Sequence, residues 1–490
     1  MSKGRILFLP ANNNALVDAR VLRYVKTAGD LGYEAIALGS EHWEEPSEHD
    51  VPGGRVIIRK VNHRMGGRGL AERFKAIFRA AAPYSVWANP VAAKAFAAFM
   101  TRQARDPHAS RPVRVGRLAH ALALRATLKV RGALPAKPDT SVSYLNAEAD
   151  EKGRGRLLAF YRTFPLAARW RIAAPQRIDD EVDLGPVIDQ LEPDLIHVHD
   201  VYLLGVAVAA ATRAAAKGRQ VHLVYDAREY VPGLGAINPR LTAAHANLEK
   251  EYIDRYERIV TVSDSLADLL MARHHLEQRP DIVLNAPVVA PRLPETPDIR
   301  QAAAVPDGVP LLLYGGGVNA GRGVQTAIES LVHLPGFHLA VVIREIEWWP
   351  EELADFAVDL GVADRLHLVP FVPHDQVVHY FESADLGLSP LLHVINHDVA
   401  LTNKFCEYLL AGLPIVTSDT PEQAGLVTSL GLGTVFKAGD AADLARAVQA
   451  AWADLPRLKA RIKDDAALQH RFSWEAQVPV LERIYADLLG

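Results

Sequence analysis

A single cysteine, Cys406, occurs in 490 residues, so no intrachain disulfide can form and a reducing, cytoplasmic setting is expected. No stretch approaches the roughly 18 uninterrupted apolar residues that a bilayer-spanning helix needs. Met1 to Pro10 lacks the charged, apolar and small-residue succession of a leader and runs straight into an expected strand. Strong net charge is missing too: 54 Lys and Arg against 58 Asp and Glu leave −4, which points to neither a nucleic-acid binder nor a halophilic surface. No histidine or carboxylate pair shows metal-ligand spacing on a helix, and His274, His275, His393 and His397 have no evident partners, so no protein metal site is expected. Asp179-Asp180-Glu181 and Asp464-Asp465 read as solvated helix termini. Ser263 and Ser265 read as a helix cap, since no glycine elbow surrounds them.

What the chain does have is length and apolar content. At 490 residues, 49% of them hydrophobic, two large α/β domains with sizeable cores are comfortable. Arg5–Leu9 is a short apolar run of the kind buried in parallel sheets. A helix from about Asp18 to Leu31 follows, with Val21, Leu22, Val25 and Ala28 on one face, and then a strand at Glu34–Leu38. Strands at Asp194–Val198, Val221–Tyr225, Arg258–Val262 and Ile282–Leu284 extend this first series. Six prolines between Ala286 and Pro310 mark a linker. A second series follows at Leu311–Tyr314, His338–Ile343, Leu366–Val369, Leu386–Leu388 and Ile415–Thr417. Strands alternating with helices, twice over, predict two doubly wound parallel sheets, domain one over residues 1–288 and domain two over 306–468. Ligands of such folds lie beyond the carboxyl ends of the strands, so the cleft between the domains is the expected site.

Charge is unevenly spread. From Arg59 to Lys137 seventeen basic residues face only Glu72 and Asp106, a surplus of fifteen, so with the whole chain at −4 the remainder carries −19. Apolar faces at Leu70, Phe74, Ile77 and Phe78, and at Ala92, Phe96, Phe99 and Met100, suggest that residues 62–180 form a basic helical insertion in domain one. Such a segment either docks on an anionic membrane surface or acidic acceptor, or is a solvated helical cover on the sheet.

Three places carry chemistry. The loop Tyr314-Gly-Gly-Gly317-Val-Asn-Ala-Gly-Arg322-Gly323 follows a strand and precedes a helix; its glycines let backbone N–H groups approach an anion, and Arg322 offers a fixed cation. Its G-x-G-x-x-A spelling also allows a dinucleotide, or a turn that holds no ligand. In Asn403-Lys404-Phe405-Cys406-Glu407-Tyr408, the spacing of Phe405, Tyr408 and Leu409 predicts a short helix that ends at Gly412. Its start suits a phosphate, and Glu407 suits the hydroxyls of a sugar or ribose. His199-Asp200 and Arg228-Glu229 close two first-domain strands; they either orient a sugar or form one satisfied ion-pair cluster.

In order along the chain, Asp194–Asp200, Tyr225–Glu229, Ile259–Ser263, Val283–Pro287, Leu312–Gly315, Ala384-Asp385, Ser389-Pro390 and Asn403–Pro414 resemble the family 4 glycosyltransferases of the GT-B fold, over nearly everything except 62–180. The tail, Phe472 to Leu489, is similar to the helix that returns to domain one in that fold, giving a segment 469–490. The resemblance implies transfer of a sugar from a nucleotide diphosphate sugar, retaining configuration, with no cofactor and no obligatory metal. On its terms the donor meets Gly316, Gly317, Arg322, Arg344, Asn403, Lys404 and Glu407; the acceptor meets Asn13, Asn14, Asp18 and Arg20; and catalysis falls to His199, Asp200, Arg228 and Glu229. Three departures stand out. Val399, beside Asp398 and His397, replaces a common second glutamate. The arginine upstream of the diphosphate cation is absent, with Arg344 as its substitute. Arg228 replaces a histidine and cannot serve as a base at neutral pH. Two other readings share the fold: a sugar-nucleotide epimerase, and a silent nucleotide-binding scaffold.

Overall fold

The computed structural model describes residues 2–11, 15–41, 46–61, 169–174, 176–234, 239–343 and 349–490, with isolated positions at 115, 119 and 122. Most of the basic segment, with Asn13, Asn14 and Arg344, lies outside the described residues. Contacts gather residues 1–62 and 156–490 into one compact unit and 63–155 into a second. The first unit holds both sheets.

The first sheet runs through β1 (Arg5–Leu9), β2 (Glu34–Glu41), β3 (Ser47–Val51), β4 (Gly54–Lys60), β5 (Leu195–His199), β6 (His222–Ala227), β7 (Arg258–Thr261) and β8 (Asp281–Ile282). Their order is β3-β4-β2-β1-β5-β6-β7-β8, parallel except where β3 pairs antiparallel with β4. The second sheet has β9 (Leu311–Tyr314), β10 (His338–Ile343), β11 (Leu366–Pro370), β12 (Leu386–Ser389), β13 (Ile415–Ser418) and β14 (Gly433–Phe436), ordered β11-β10-β9-β12-β13-β14. Every pairing in it is parallel. Apolar runs such as Ile6-Leu7-Phe8-Leu9 and Leu311-Leu312-Leu313-Tyr314 are fully buried, as strands covered on both faces must be. The chain reverses direction across the sheet between β1 and β5, and again between β9 and β12. Crevices open at such reversals, beyond the strand carboxyl ends.

Asp18 caps the helix Ala19–Asp30, accepting from the N–H groups of Arg20 and Val21 at 3.1 Å. Val21, Tyr24, Val25 and Ala28 pack from this helix onto Ile6 and Phe8. Leu481, Ile484 and Tyr485 of the helix Val478–Leu489 fill the same core, and Trp474 Nε1 donates to Thr27 Oγ1 at 2.9 Å. Complete burial of a side chain such as Leu481 contributes about 1.5–3 kcal/mol, so the tail is an integral part of domain one's packing.

Ser263 caps the helix Asp264–His274 by accepting from Leu266 N–H at 3.2 Å, and Asp465 caps Ala466–Arg471, as their sequence contexts predict. Asp179 and Asp180 differ from expectation. Both are buried within the helix Gln176–Leu191, where Asp180 pairs with Arg177 at 3.1 Å and Glu181 with Arg213. Cations face Asp180 and Glu181 and Asp179 is buried, so the triplet is not a solvated terminus.

Candidate functional site

Tyr314 is the last residue of β9, and the glycines follow at once. Gly316 has φ +141°, a conformation side chains disfavour. At Gly323, φ +67°, an added Cβ would lie 1.7 Å from the carbonyl oxygen of Pro390, so only glycine lets this loop close against the end of β12. The helix Asn403–Leu410 packs behind it. Tyr408 is fully buried and its hydroxyl accepts from Gly315 N–H at 2.8 Å. Among the described residues no side chain caps this helix's first turn; Phe405 N–H donates to the Thr402 carbonyl, and the Asn403 and Lys404 N–H groups are left for another partner.

Lys404 projects from that first turn into the glycine loop. Its ammonium is buried, has no hydrogen-bond partner among the described residues, and lies 4.1 Å from the centre of the Tyr314 ring. A Cβ on Gly316 would lie 3.8 Å from Nζ. Burial, and next the Arg322 charge, push the lysine well below its usual range, while Glu407 pulls the other way. Arg322 Nε is likewise buried and unpartnered. His397 sits beside Gly321, its Nδ1 2.9 Å from the Leu392 carbonyl oxygen; burial and the nearby Arg322 and Lys404 charges lower it to about 4. Glu407 follows Lys404 by one turn. Burial raises it to about 7, against the opposing pull of Arg23 and Lys404. An unpartnered buried ammonium is costly, and an anion beside Gly316 would relieve it.

The first-domain strand ends are arranged otherwise. Arg20 Nε and Nη2 donate to Asp226 at 2.7 and 2.9 Å, and Nη2 also donates to Tyr24 Oη and the Val283 carbonyl, both at 3.0 Å. His199 Nδ1 lies 2.8 Å from Asp226 Oδ2, and His197 stacks on His199 at 4.9 Å. Burial alone would raise Asp226, but Arg20 and His199 hold it far below the carboxylate range. The ligand atoms of His197, His199 and Asp226 lie within 4.8 Å of one another. A metal there would compete with a bidentate guanidinium on the same carboxylate, so the set is a poor fit for an ion.

Nearer the cleft, Arg228 Nε donates to Asp200 at 3.0 Å, and Nη1 to Asp18 at 3.2 Å. Asp200 has φ +62°, a strain of about 1–3 kcal/mol for a residue with a side chain. Burial raises Asp18, but the Arg228 and His199 charges bring it below its usual value. Glu229 is exposed and within electrostatic reach of Arg322 across the cleft. The domains also touch directly: Tyr230 N–H donates to Asn396 Oδ1 at 2.7 Å, Ser263 Oγ to the Val399 carbonyl, and Asn285 Nδ2 to Asn403 Oδ1 at 2.5 Å.

Thus Gly316, Gly317, Arg322, Asn403, Lys404 and Glu407 gather at the second crevice, and Asp18, Asp200, Arg228 and Glu229 at the first. His199 and Arg20 do not join them. Both are buried and engage Asp226 through Arg20 Nε and Nη2 and His199 Nδ1, while His199 Nε2 and Arg20 Nη1 have no hydrogen-bond partner among the described residues. Sequence reasoning passed over Asp226 as the hub, Arg23, and His397 as a wall of the glycine loop. A signal for Asp226 existed: it directly precedes Ala227-Arg228-Glu229 at a strand end, where a buried carboxylate demands a cation.

Residues 297–454 match the family model described as Glycosyl transferases group 1, and residues 108–286 the one described as Glycosyltransferase Family 4. D-inositol 3-phosphate glycosyltransferase of Acidothermus cellulolyticus is 31% identical over 178 residues, 34% of this chain. The match spans only 38% of that relative's length. Sucrose-phosphate synthase from Thermosynechococcus elongatus superposes over 99% of both chains with a TM-score of 0.64 at 12% identity. Anabaena HepE, in complex with UDP, does so over 99% of this chain and 100% of its own with a TM-score of 0.54 at 14% identity. At these identities the likeness is one of fold, the two-domain GT-B architecture.

Proposed function

Because the chain belongs to the family 4 glycosyltransferases of GT-B fold, we propose that it moves a sugar from a nucleotide diphosphate sugar to an acceptor hydroxyl, with retention of configuration. One observation carries the donor assignment: the buried, unpartnered ammonium of Lys404 beside Gly316. On this reading the diphosphate lies between Lys404, Arg322, the Gly316-Gly317 backbone and the open first turn of Asn403–Leu410. Glu407, one turn along, accepts ribose hydroxyls. As the bond from the sugar to the diphosphate breaks, negative charge builds on the departing oxygens, and cations already fixed in place stabilise it without reorganising.

The acceptor enters from domain one. Arg228 is engaged by Asp18 and Asp200 and stays protonated, so it orients and does not act as a base. Glu229 is the cleft carboxylate with no ion pair among the described residues, and it is assigned the proton that the acceptor hydroxyl releases. The basic stretch up to Lys137 is assigned to peripheral contact with an anionic membrane from the cytoplasmic side. Sedimentation with phosphatidylglycerol vesicles checks that assignment, which fails if no protein co-sediments at low salt.

The donor reading is tested by titrating UDP, GDP and ADP into the wild type, Glu407→Ala and Arg322→Ala in a calorimeter. It fails if no nucleotide binds, or if both variants bind as tightly as the wild type. Binding without transfer to any of a panel of acceptors would favour a silent scaffold. Conversion of the donor sugar with no acceptor present would favour an epimerase.

A further inference from the structure

Arg23 lies three residues beyond Arg20 on the helix Ala19–Asp30, and its surroundings are unlike those of a solvated arginine. Its guanidinium stands over the Trp474 ring at 5.2 Å, and Nη2 donates to Asn285 Oδ1. Asn285 Nδ2 donates in turn to Asn403 Oδ1 at 2.5 Å, on the first residue of the helix that carries Lys404 and Glu407. Three side chains therefore run from domain one into the foot of the donor crevice. Arg23 Nε is buried without a hydrogen-bond partner among the described residues, and of the two cations acting on Glu407, Arg23 outweighs Lys404.

Resting on the donor reading above, we propose that Arg23 is a positioning residue of the donor site, a cation supplied by domain one that, through Asn285 and Asn403, ties the helix carrying Lys404 and Glu407 across the cleft. Glu407 faces Arg23 from the helix Ala19–Asp30 and Lys404 from its own helix, with Cys406 and Tyr408 beside it. Arg23 faces Arg20, Asp18 and Tyr24 on its own side. Burial raises Glu407 to about 7 against the pull of both cations, so it is about half ionised at neutral pH and loss of one cation shifts it further toward the protonated form.

The test is calorimetric titration of UDP into the full chain from pH 6 to 9. Wild-type affinity is expected to fall as the pH drops through about 7. Arg23→Met moves that midpoint up by roughly one unit and weakens binding at pH 7 several-fold. Arg23→Lys, which keeps the charge, restores most of the wild-type profile, and Glu407→Gln removes this midpoint altogether. Asn285→Ala, which spares the core should Arg23→Met fold poorly, shifts the midpoint in the same direction by less. A wild-type profile in Arg23→Met and Asn285→Ala, or an equal shift in Arg23→Lys and Arg23→Met, overturns the inference and leaves the donor reading standing. No UDP binding by the wild type at any pH removes both.

Discussion

At the carboxyl ends of β1, β5 and β6, Asp18, Arg20, His199, Asp200, Asp226 and Arg228 hold one another in a continuous network. At the ends of β9 and β12 the cations are Lys404 and Arg322, and Lys404 Nζ and Arg322 Nε have no hydrogen-bond partner among the described residues. One row of strand ends has paired Asp18, Asp200 and Asp226 with cations and forms a platform. The other keeps its charges unspent, at a cost in stability, and is shaped to receive a polyanion. A polar cluster at a strand end is thus informative chiefly through what it leaves unsatisfied.

This contrast has consequences of graded size. The largest concerns the platform: Arg20→Met leaves Asp226 buried with only His199 against it, so chemical denaturation should report a loss of about 3–5 kcal/mol. A loss below about 1 kcal/mol would mean that the network is not structural. The opposite behaviour is expected of Lys404→Met. It should raise the midpoint of thermal unfolding of the unliganded protein by removing an unpartnered buried charge, while costing about 1.5–3 kcal/mol of UDP affinity, roughly tenfold to a hundredfold or more. A variant that loses both stability and affinity would place Lys404 with the platform instead.

Acid should act on the platform's side next. Burial holds His197 well below its usual value and His245 at about 4. The unfolded chain binds protons at these histidines near pH 6.5 and the folded chain does not, so stability falls as the pH drops below that point, by about 1 kcal/mol per histidine at pH 5.5. His245→Gln should flatten its share of the profile. The smallest effect has the opposite sign. His393 Nδ1 lies 2.7 Å from Asp398 and Nε2 3.0 Å from Asp419, a pair of bonds that needs the imidazolium. Its bond to Asp398 first, and then that to Asp419, raise it. The stabilisation is therefore present below pH 6.5 and fades as the pH climbs through the raised value. Being half-exposed, the clasp should contribute only tenths of a kcal/mol, visible as faster amide exchange in residues 392–400 at pH 8 than at pH 6.

Much of this architecture is legible in the chain. Fully apolar runs announce β1, β9 and β10, and Gly-Gly-Gly followed by Arg322 announces the donor loop. The hairpin of β3 and β4 was missed because Ser47-Glu-His-Asp-Val51 is an exposed edge strand with no apolar face toward the core, and β14 because Gly433-Thr-Val-Phe436 is short and opens on glycine. His199 illustrates a different failure. Side chains alternate along a strand, so His197 and His199 share one face, and that face meets Phe8 and Tyr24 in the core. A charge-bearing residue at a strand end need not face the cleft. Arg20 and Arg23, three apart on one helix, look alike in sequence. Only the fold separates the one that neutralises Asp226 from the one that reaches Asn285.

The tail has a temporal consequence. Ile6 and Phe8 are covered by Leu481, Ile484 and Tyr485, and the Trp474–Thr27 bond joins residues 447 positions apart. During synthesis the opening sheet therefore emerges early and waits, one flank uncovered, until almost the whole of the second domain has left the ribosome. Such distant closure is slow and exposes the waiting surface to aggregation, so a nascent chain stalled before residue 474 should be a far better chaperone client than one stalled after 485.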